Sequence, residues 1–243
     1  MVEKRIIQEI KHGEKIASNA EFIWRWDSPT GIIRSERRAN FFVQFGQIDS
    51  DKSVLEIGCG TGLFTKRVNE LTNSKITAID ISETLISIAK TKVPSCQFIR
   101  MDAMNMIFQP NLFDVVFGSS ILHHLHIETV LNEIHRILKP AGKIVFAEPN
   151  MLNPHIFLQK NIPVLKRYWG DIPDESAIVR WQLKELLLHR GFINVNIIPY
   201  DFLYPMTPAK LIPIVCRIGR KLEKIPIIKE IAGSVLKKKK KRA

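Results

Sequence analysis

The sequence has few cysteines and no long uninterrupted run of apolar residues. Its three cysteines, Cys59, Cys96 and Cys216, are scattered and form no CxxC pair, so a disulfide framework is not expected. No stretch approaches the roughly 18 consecutive apolar residues of a transmembrane helix. Residues 1–15 are charged and lack the apolar centre of a secretory signal peptide. These absences predict a cytoplasmic protein in a reducing compartment, and we predict no metal site.

Acidic residues are scarce at the C-terminal end. The 243 residues include 36 Lys/Arg and 24 Asp/Glu, a net charge of +12, of which residues 208–243 carry twelve basic and two acidic residues. The lysine-rich run 237–242 is typical of a solvated or disordered tail, with contact to anionic lipid or nucleic acid as the alternative. Because the rest of the chain is nearly neutral, we expect no nucleic-acid partner. A peripheral contact between the basic C-terminus and an anionic membrane stays open, as does the oligomeric state.

The hydrophobic pattern divides the chain into three parts. Residues 1–50 are predicted to form a helical N-terminal extension, with a turn at residues 28–31 and a helix over residues 34–45. Residues 208–243 are predicted to be a basic segment that completes a sheet, with residues 234–238 as its strand. Between them, residues 51–207 alternate short apolar runs with amphipathic stretches. The predicted strands there are residues 53–57, 75–79, 96–100, 113–118, 143–148 and 193–198.

This alternation predicts a parallel sheet with helices on both of its faces. The predicted helices are residues 63–71, a helix capped by Ser82, residues 127–138 stopped by Pro140 and Gly142, and residues 180–190 stopped by Gly191. The predicted strands are nearly continuous apolar runs, as buried parallel strands are. Four prolines interrupt residues 149–176, which are therefore predicted to be a partly helical insertion.

A glycine-rich turn follows the first predicted strand. Gly58, Gly60 and Gly62 stand at alternate positions before a helix, where a backbone without side chains can turn sharply and approach a ligand. A nicotinamide dinucleotide site would need the spacing G-x-G-x-x-G, whose last glycine would fall at Leu63. Glu56 would also repel a pyrophosphate. The turn therefore favours a ligand with a zwitterionic amino-acid group over a dinucleotide.

An acidic residue ends the second predicted strand. Asp80 lies at the position where doubly wound sheets bind the ribose of a nucleotide, and a carboxylate there can accept hydrogen bonds from both ribose hydroxyls. An Asp in this position is otherwise a helix cap. The glycine turn upstream favours the ribose interpretation.

These motifs occur in an order that resembles a known family. The segments VLEIGCGTG, ITAID, MDAMNM, FDVVFGSSILHHL and EIHRILKPAGKIVFAEPN resemble the class I S-adenosylmethionine (SAM) dependent methyltransferases, and the likeness is strong over residues 53–150. It is closest to the branch that acts on small molecules, quinone precursors and natural products. The resemblance implies a Rossmann-like, doubly wound, mostly parallel seven-stranded α/β sheet, with a helical N-terminal extension and a lid insertion at residues 149–176.

The resemblance also implies SAM as cofactor, S-adenosylhomocysteine as product, and a set of binding residues. The glycine turn with Glu56 would lie against the methionine end, Asp80 would bind the ribose, and Ser119 would lie beside the donor methyl group. The predicted cofactor-binding residues are Glu56, Gly58, Cys59, Gly60, Gly62, Asp80, Ile81, Asp102, Ala103 and Ser119.

The catalytic residues and the acceptor are less constrained by the sequence. His123 and His124 are candidate general bases, because imidazole titrates near neutral pH, but a histidine at a helix start also packs structurally. Residues 22–27 and the insertion, with Phe157, Tyr168 and Trp169, are predicted to cover a pocket for a small acceptor that is lipid-linked or sugar-linked. No Asn/Asp-Pro-Pro-Tyr run, typical of amino-methylating nucleic-acid enzymes, follows the fourth strand. A non-catalytic SAM-binding regulatory protein and a dehydrogenase are the alternatives.

Overall fold

The computed structural model describes residues 2–169 and 177–241, and its centre is one seven-stranded sheet with the order β3-β2-β1-β4-β5-β7-β6. Strands β1 to β5 pair in parallel, and β7 is antiparallel to both of its neighbours. This arrangement confirms the predicted doubly wound, mostly parallel fold. The strands are β1 (Ser53–Ile57), β2 (Lys75–Asp80), β3 (Gln97–Arg100), β4 (Phe113–Ser119), β5 (Leu138–Pro149), β6 (Phe192–Tyr200) and β7 (Ser234–Lys241).

Helices cover the sheet. The first of them precede its first strand in the chain, and the others lie between the strands. They are α1 (Val2–Ile16), α2 (Ala20–Ile23), α3 (Pro29–Gly46), α4 (Leu63–Thr72), α5 (Glu83–Lys92), α6 (Ile127–Ile137), α7 (Pro154–Asn161), α8 (Pro163–Trp169), α9 (Arg180–His189) and α10 (Ile212–Leu222). In the part of the chain that the structure describes, no helix is both long and apolar enough to cross a membrane.

The two faces of the sheet bury separate apolar clusters. Leu55 and Ile57 of β1 belong to a cluster that includes Leu131 of α6, whereas Val54 belongs to a cluster with Phe42 of α3. Alternate residues of a strand point to opposite faces. Because both faces are covered, both sets are apolar, which explains the continuous apolar runs in the sequence.

Helix α3 begins earlier than the sequence predicted. The predicted turn at residues 28–31 is the helix N-terminus itself, because Ser28 Oγ accepts a hydrogen bond from the Gly31 N–H at 3.0 Å. Pro29 occupies the first helical position, where its fixed φ angle suits a helix and its missing N–H is not needed.

The lysine run is part of the sheet. Residues 237–241 belong to β7, which pairs with β5 on one side and β6 on the other, so the prediction of a solvated tail was wrong for these residues. The sheet needed its last strand, and the backbone of this segment supplies it. The predicted strand, residues 234–238, is therefore extended to Lys241.

Two further boundaries differ from the predictions. Helix α6 ends at Ile137, and β5 already begins at Leu138, so Pro140 and Gly142 lie within the strand and not at the helix stop. The insertion contains α7 and α8, and residues 170–176 of it lie outside the described residues.

Candidate functional site

A cavity of about 560 Å³ lies at the carboxyl ends of the parallel strands. It opens between β1 and β4, where the strand order reverses, which is the position at which doubly wound sheets bind ligands. The N-terminal extension, the α7 region and residues 201–205 contribute the rest of its lining. The fold thus brings the motifs of the parallel half together with residues from both ends of the chain.

The glycine turn forms the floor of this cavity. Gly58, Gly60 and Gly62 have φ angles of 69°, 51° and 77°, in the left-handed region that favours glycine. A Cβ atom on Gly58 would lie 2.5 Å from the Ile121 side chain, so this position also has no room for one. The N–H groups of Gly58 and Cys59 donate to the Ile79 carbonyl at 2.8 and 3.1 Å, which joins the turn to β2.

Asp80 links the glycine turn to the next helix. Its Oδ2 accepts a hydrogen bond from the Gly60 N–H at 2.9 Å, and its Oδ1 accepts one from the Ser82 N–H at 3.0 Å. Burial raises the pKa of Asp80, and these N–H donors offset only part of the increase. Each carboxylate oxygen has a second lone pair, so Asp80 can still accept hydrogen bonds from a ligand lining the same cavity.

Asp102 lies in the same cavity, in the loop after β3. Its Oδ1 accepts a hydrogen bond from the Met104 N–H at 2.8 Å, so one of its oxygens caps the loop. Asp102, Ala103 and Ile81 all line the cavity. The second carboxylate oxygen of Asp102 gives this end of the cavity an acceptor suited to an amine.

Two of the predicted cofactor-binding residues do not line the cavity. Glu56 is only 1% exposed and accepts a hydrogen bond from the Thr65 hydroxyl beneath the turn. Burial raises its pKa to about 8. Gly62 starts α4 and packs close to Ala89. The predicted residues that do line the cavity are Gly58, Cys59, Gly60, Asp80, Ile81, Asp102, Ala103 and Ser119.

Cys59 is a wall of the cavity and not a reactive group. Its side chain is buried, and burial raises the pKa of the thiol well above its ordinary value. A thiol that stays protonated at neutral pH is a poor nucleophile. Within residues 2–169 and 177–241, no group of His, Cys, Asp and Glu side chains is arranged to hold a metal ion.

His123 forms a buried pair with a carboxylate at the end of β5. Its Nδ1 lies 2.7 Å from Oε2 of Glu148, and Oε1 of Glu148 accepts the N–H groups of Ile121 and Leu122 at 3.1 and 3.0 Å. Burial alone would raise the pKa of Glu148, but the hydrogen bonds and the charge of His123 outweigh it and lower the pKa. An ionised Glu148 fixes the His123 ring with Nδ1 as donor, so the neutral ring has Nε2 as its basic nitrogen.

His124 pairs with the N-terminal extension. Its Nδ1 lies 2.9 Å from Oε1 of Glu9 in α1, and its ring packs against the His123 ring at a tilt of 40°, with centroids 4.2 Å apart. Both histidines line the cavity. The structure therefore gives them different surroundings: His123 is held by the sheet, and His124 by the covering helix.

Arg38 is a cavity residue that the sequence analysis missed. It is 3% exposed and donates only to hydroxyl groups: Nη1 to Ser119 and Ser120 at 2.8 and 3.1 Å, Nη2 to Ser234 at 3.1 Å, and Nε to Tyr200 at 3.1 Å. No carboxylate forms an ion pair with it among the described residues. A buried cation is normally paired with an anion, so Arg38 gives the cavity a site for a negatively charged group.

The sequence does contain a signal for Arg38. The buried residues of α3 recur at helical spacing, and Arg38 stands in that row between Ser35 and Phe42. An arginine on the buried row of a helix needs a polar or charged partner in the interior. The pattern could thus have flagged the residue, although the four hydroxyl partners come from distant segments.

Aromatic residues of the N-terminal extension cover the turn. A Cβ atom on Gly60 would lie 3.1 Å from the Trp24 ring, and Trp26 packs edge-on against Phe64 with centroids 5.4 Å apart. Glu21 anchors this cover by bonding to Lys92 and to the Thr61 hydroxyl.

The predicted cover is only partly made of the residues named for it. Phe22 and Phe157 are exposed and do not line the cavity, whereas Trp24, Trp26, Ile156 and Gln159 do. The side chains of Tyr168 and Trp169 lie outside the described part of the chain.

The proteins to which this chain is similar are methyltransferases or methyltransferase-like. A family model described as "Methyltransferase domain" matches residues 55–146. The chain is 36% identical over 173 residues to the demethylmenaquinone methyltransferase of Lactococcus lactis, which covers 59% of this chain and 67% of that protein. It is 27% identical over 164 residues, or 68% of this chain, to a methyltransferase-like protein of Schizosaccharomyces pombe, and it spans 63% of the length of that protein.

The fold is also that of solved methyltransferases. The N-methyltransferase NodS from Bradyrhizobium japonicum, solved with S-adenosyl-L-homocysteine, superimposes with a TM-score of 0.65 at 17% identity, over 97% of this chain and 99% of that one. A SAM-dependent methyltransferase from Archaeoglobus fulgidus superimposes with a TM-score of 0.62 at 20% identity, over 86% and 93% of the two chains.

Proposed function

Since the chain belongs to the class I SAM-dependent methyltransferases, we propose that it transfers the methyl group of SAM to a small-molecule acceptor and releases S-adenosylhomocysteine. The acceptor gains a methyl group, and where its nucleophilic atom carries a proton, that proton is lost.

One observation carries this proposal. The left-handed glycine turn lies under a cavity at the switch point of the sheet, and the Asp80 carboxylate is fixed to the turn through the Gly60 N–H. This combination gives a nucleoside with a short charged tail a ribose acceptor and a backbone that it can approach closely.

The residues at the two ends of the cavity fit SAM. Asp80, Ile81, Asp102 and Ala103 form an end suited to adenosine, with carboxylates for hydroxyl and amine donors and an apolar side chain for the ring. The Arg38 guanidinium beside Ser119 suits a carboxylate at the other end.

When bound, SAM supplies a methyl group already activated by the sulfonium, so the protein has to align the acceptor and exclude water. Trp24 and the helices of the N-terminal extension cover the glycine turn and would limit the access of water. The transfer itself therefore asks the protein for alignment and exclusion of water.

For an acceptor that must lose a proton, we propose His123 as the general base. Glu148 orients the ring through Nδ1 and stabilises the imidazolium that forms when Nε2 takes the proton. His124, held by Glu9, is the second candidate. The dyad favours acceptors that must lose a proton, such as an acidic hydroxyl or a ring carbon next to one. It offers less to an acceptor whose amine is already neutral.

We further propose that the acceptor is a small, lipid-linked molecule. The name of the Lactococcus lactis relative identifies its acceptor as demethylmenaquinone, and the cavity of this chain has apolar walls between its polar ends, including Ile57, Leu85, Ile121 and Leu203. A sugar-linked acceptor is the second candidate. The nucleophile is identified with defined panels of hydroquinones, phenols and primary amines, each incubated with SAM. The panel that yields S-adenosylhomocysteine contains the methylated group.

The first experiment is calorimetric titration of the protein with S-adenosylhomocysteine, alongside Asp80→Ala and Asp80→Asn. Hydrogen bonds to a charged group contribute roughly 1.5–3 kcal/mol each, so loss of the carboxylate is expected to weaken binding by about a hundredfold. Asn keeps an acceptor for the Gly60 N–H, and the Ala variant does not. Asp51→Ala, an exposed site just before β1 and therefore at the amino end of the parallel strands, is the matched control.

The outcomes separate three functions. Binding that falls in both Asp80 variants, together with turnover of an acceptor, supports the methyltransferase. Binding without turnover across the panels favours the non-catalytic SAM-binding protein. If the folded wild-type chain binds NAD and not S-adenosylhomocysteine, the proposal is contradicted and the dehydrogenase becomes the favoured alternative.

A further inference from the structure

Helix α10 and the turns beside it carry an exposed apolar stripe. Leu211, Ile214 and Ile218 are 50%, 55% and 49% exposed, and Ile225, in the turn after the helix, is 42% exposed. The opposite side of the helix is buried through Ile212 and Gly219. The helix is thus anchored to the body on one side and leaves a second apolar surface in contact with solvent, which is unusual for an isolated helix face.

A basic row runs beside the apolar stripe. Lys210, Arg217, Arg220, Lys221 and Lys224 are all exposed. None of these five pairs with an acidic side chain in the described part of the chain. We call the apolar stripe and the basic row together the α10 face.

The two acidic residues of this region are turned toward the body. Glu223 is bonded to Arg37 of α3 at 2.5 and 2.8 Å, and Glu230 is paired with Arg180 of α9 at 2.6 Å. Their charges are therefore already neutralised by partners elsewhere. Among the described residues, the α10 face is left with five exposed basic side chains and no acidic group of its own.

The α10 face adjoins the cavity. A Cβ atom on Gly219 would lie 3.2 Å from Cβ of Phe202, and Phe202, Leu203 and Tyr204 line the cavity. One short segment therefore separates the exposed helix from the interior of the proposed active site. A molecule held in a surface that covers α10 would therefore reach the cavity by crossing only this segment.

We propose that the α10 face docks on an anionic lipid surface. An amphipathic helix with apolar side chains and Lys/Arg at its border lies in the membrane interface, where the apolar row enters the acyl boundary and the basic row contacts the head groups. A second copy of this chain fits less well, because it would bring two basic rows together. Nucleic acid would leave the isoleucines exposed.

This inference deepens the proposed function and partly rests on it. Docking at α10 would present a lipid-linked acceptor at the cavity, while S-adenosylhomocysteine would still bind from the aqueous side. Docking itself depends only on the α10 face. The two ideas can therefore fail separately.

The test is flotation of the full chain with vesicles of phosphatidylcholine alone and of phosphatidylcholine mixed with phosphatidylglycerol. We expect binding to the mixed vesicles only, weakened on the order of tenfold by high salt. Ile214→Ser with Ile218→Ser, and separately Arg217→Gln with Lys221→Gln, should each weaken it by on the order of tenfold. The matched controls are Val164→Ser, an exposed apolar residue of α8, and Lys90→Gln, an exposed lysine of α5.

Calorimetry with S-adenosylhomocysteine and thermal melts on every variant show that the chain is folded and that the cofactor site is intact. Equal binding to both vesicle types, or binding that neither pair of substitutions weakens, overturns the proposal. A wild-type dimer in sedimentation that the isoleucine variants dissociate would assign the face to a second copy. Retention of RNA that the arginine and lysine variants abolish, without vesicle binding, would assign it to nucleic acid.

Discussion

The Arg38 guanidinium shows how a single residue can define one end of a cavity. Moving a charge out of water costs hydration free energy. Hydrogen bonds to hydroxyl groups compensate only part of that cost, because hydroxyl groups carry no opposite charge. Four hydroxyls surround Arg38, and they use four of its five N–H donors. One N–H of this buried cation is left for a ligand, and the methionine end of SAM carries a carboxylate that can accept it.

Arg38→Gln tests this assignment. We expect the variant to bind S-adenosylhomocysteine on the order of ten to a hundred times more weakly, because a charge-assisted hydrogen bond is lost. Binding of methylthioadenosine, which has the same nucleoside and no carboxylate, should change by less than about twofold. Calorimetry with both ligands measures the difference. Equal losses for the two ligands would mean that Arg38 supports the fold of the site and does not bind a carboxylate.

Glu56 gives the protein a pH-dependent stability at neutral pH. Its folded pKa of about 8 is above the ordinary value of 4.5, so the folded state binds more protons between these two pH values. The free energy of unfolding therefore falls as pH rises from about 4.5 to about 8, by at most about 1.4 kcal/mol per pH unit. Asp80, whose pKa is also raised, acts in the same direction.

Glu56→Gln mimics the protonated side chain. Urea unfolding at pH 5.5 and pH 7.5, without ligand, should show a larger loss of stability in the wild type than in the variant. Glu148 has a lowered pKa, so its contribution is lost at acidic pH, below this window. Identical pH slopes in the two proteins would contradict the assignment of the titration to Glu56.

At the scale of the elements, β7 shows what a local sequence pattern conceals. A run of lysines is typical of solvated chain, and nothing in the run itself indicates a strand. The backbone is nevertheless paired on both sides, with β5 and with β6. Tertiary context decided the structure here, because the fold requires an antiparallel strand between β5 and β6 and β-propensity is strongly context-dependent.

Removal of residues 237–243 should therefore disrupt the fold. The deletion leaves residues 143–146 of β5 and residues 192–197 of β6 without their β7 partners, and unpaired buried backbone groups are costly. We expect loss of the cooperative thermal transition in circular dichroism. Removal of residues 242–243 alone should leave the transition within about 1–2 °C of the full chain. Equal melting of both truncated chains would mean that the strand pairing is dispensable.

At the scale of the whole molecule, the parallel half of the sheet was the most predictable part. Strands β1 to β4 and helices α4 and α5 follow from short apolar runs, a glycine turn and an Asp or Ser at the strand ends, all of which are local signals. Their order along the chain then fixes the switch point and places Gly58, Asp80 and Asp102 around one cavity.

The remaining parts of the site depend on contacts between distant segments. Arg38 meets Tyr200 and Ser234, and His124 meets Glu9, across separations of more than a hundred residues. No periodicity or spacing encodes such pairs. The sequence therefore predicted the residues on the sheet side of the cavity and not the partners supplied by the covering segments.

The first part of the N-terminal extension, which comprises α1 and α2, is expected to respond to the cofactor as a cover. It is held on the sheet by a small cluster of Ile16, Ala20 and Leu85, by Glu9 with His124, and by Glu21 with Lys92. So few buried contacts make it one of the less stable parts of the chain, which opens locally before the sheet does. A ligand that binds beneath it stabilises the closed form by linkage.

Amide hydrogen exchange with and without S-adenosylhomocysteine tests this cover. We expect slower exchange over residues 9–24 and in the glycine turn, and no change in α10, whose exposed face lies outside the cavity. Asp80→Asn, at a ligand concentration that no longer saturates it, should lose both effects together, because the cover closes only over bound ligand. Protection confined to the glycine turn would mean that the extension is fixed in place whether or not the cofactor is bound, and that access to the site is controlled from the α7 side.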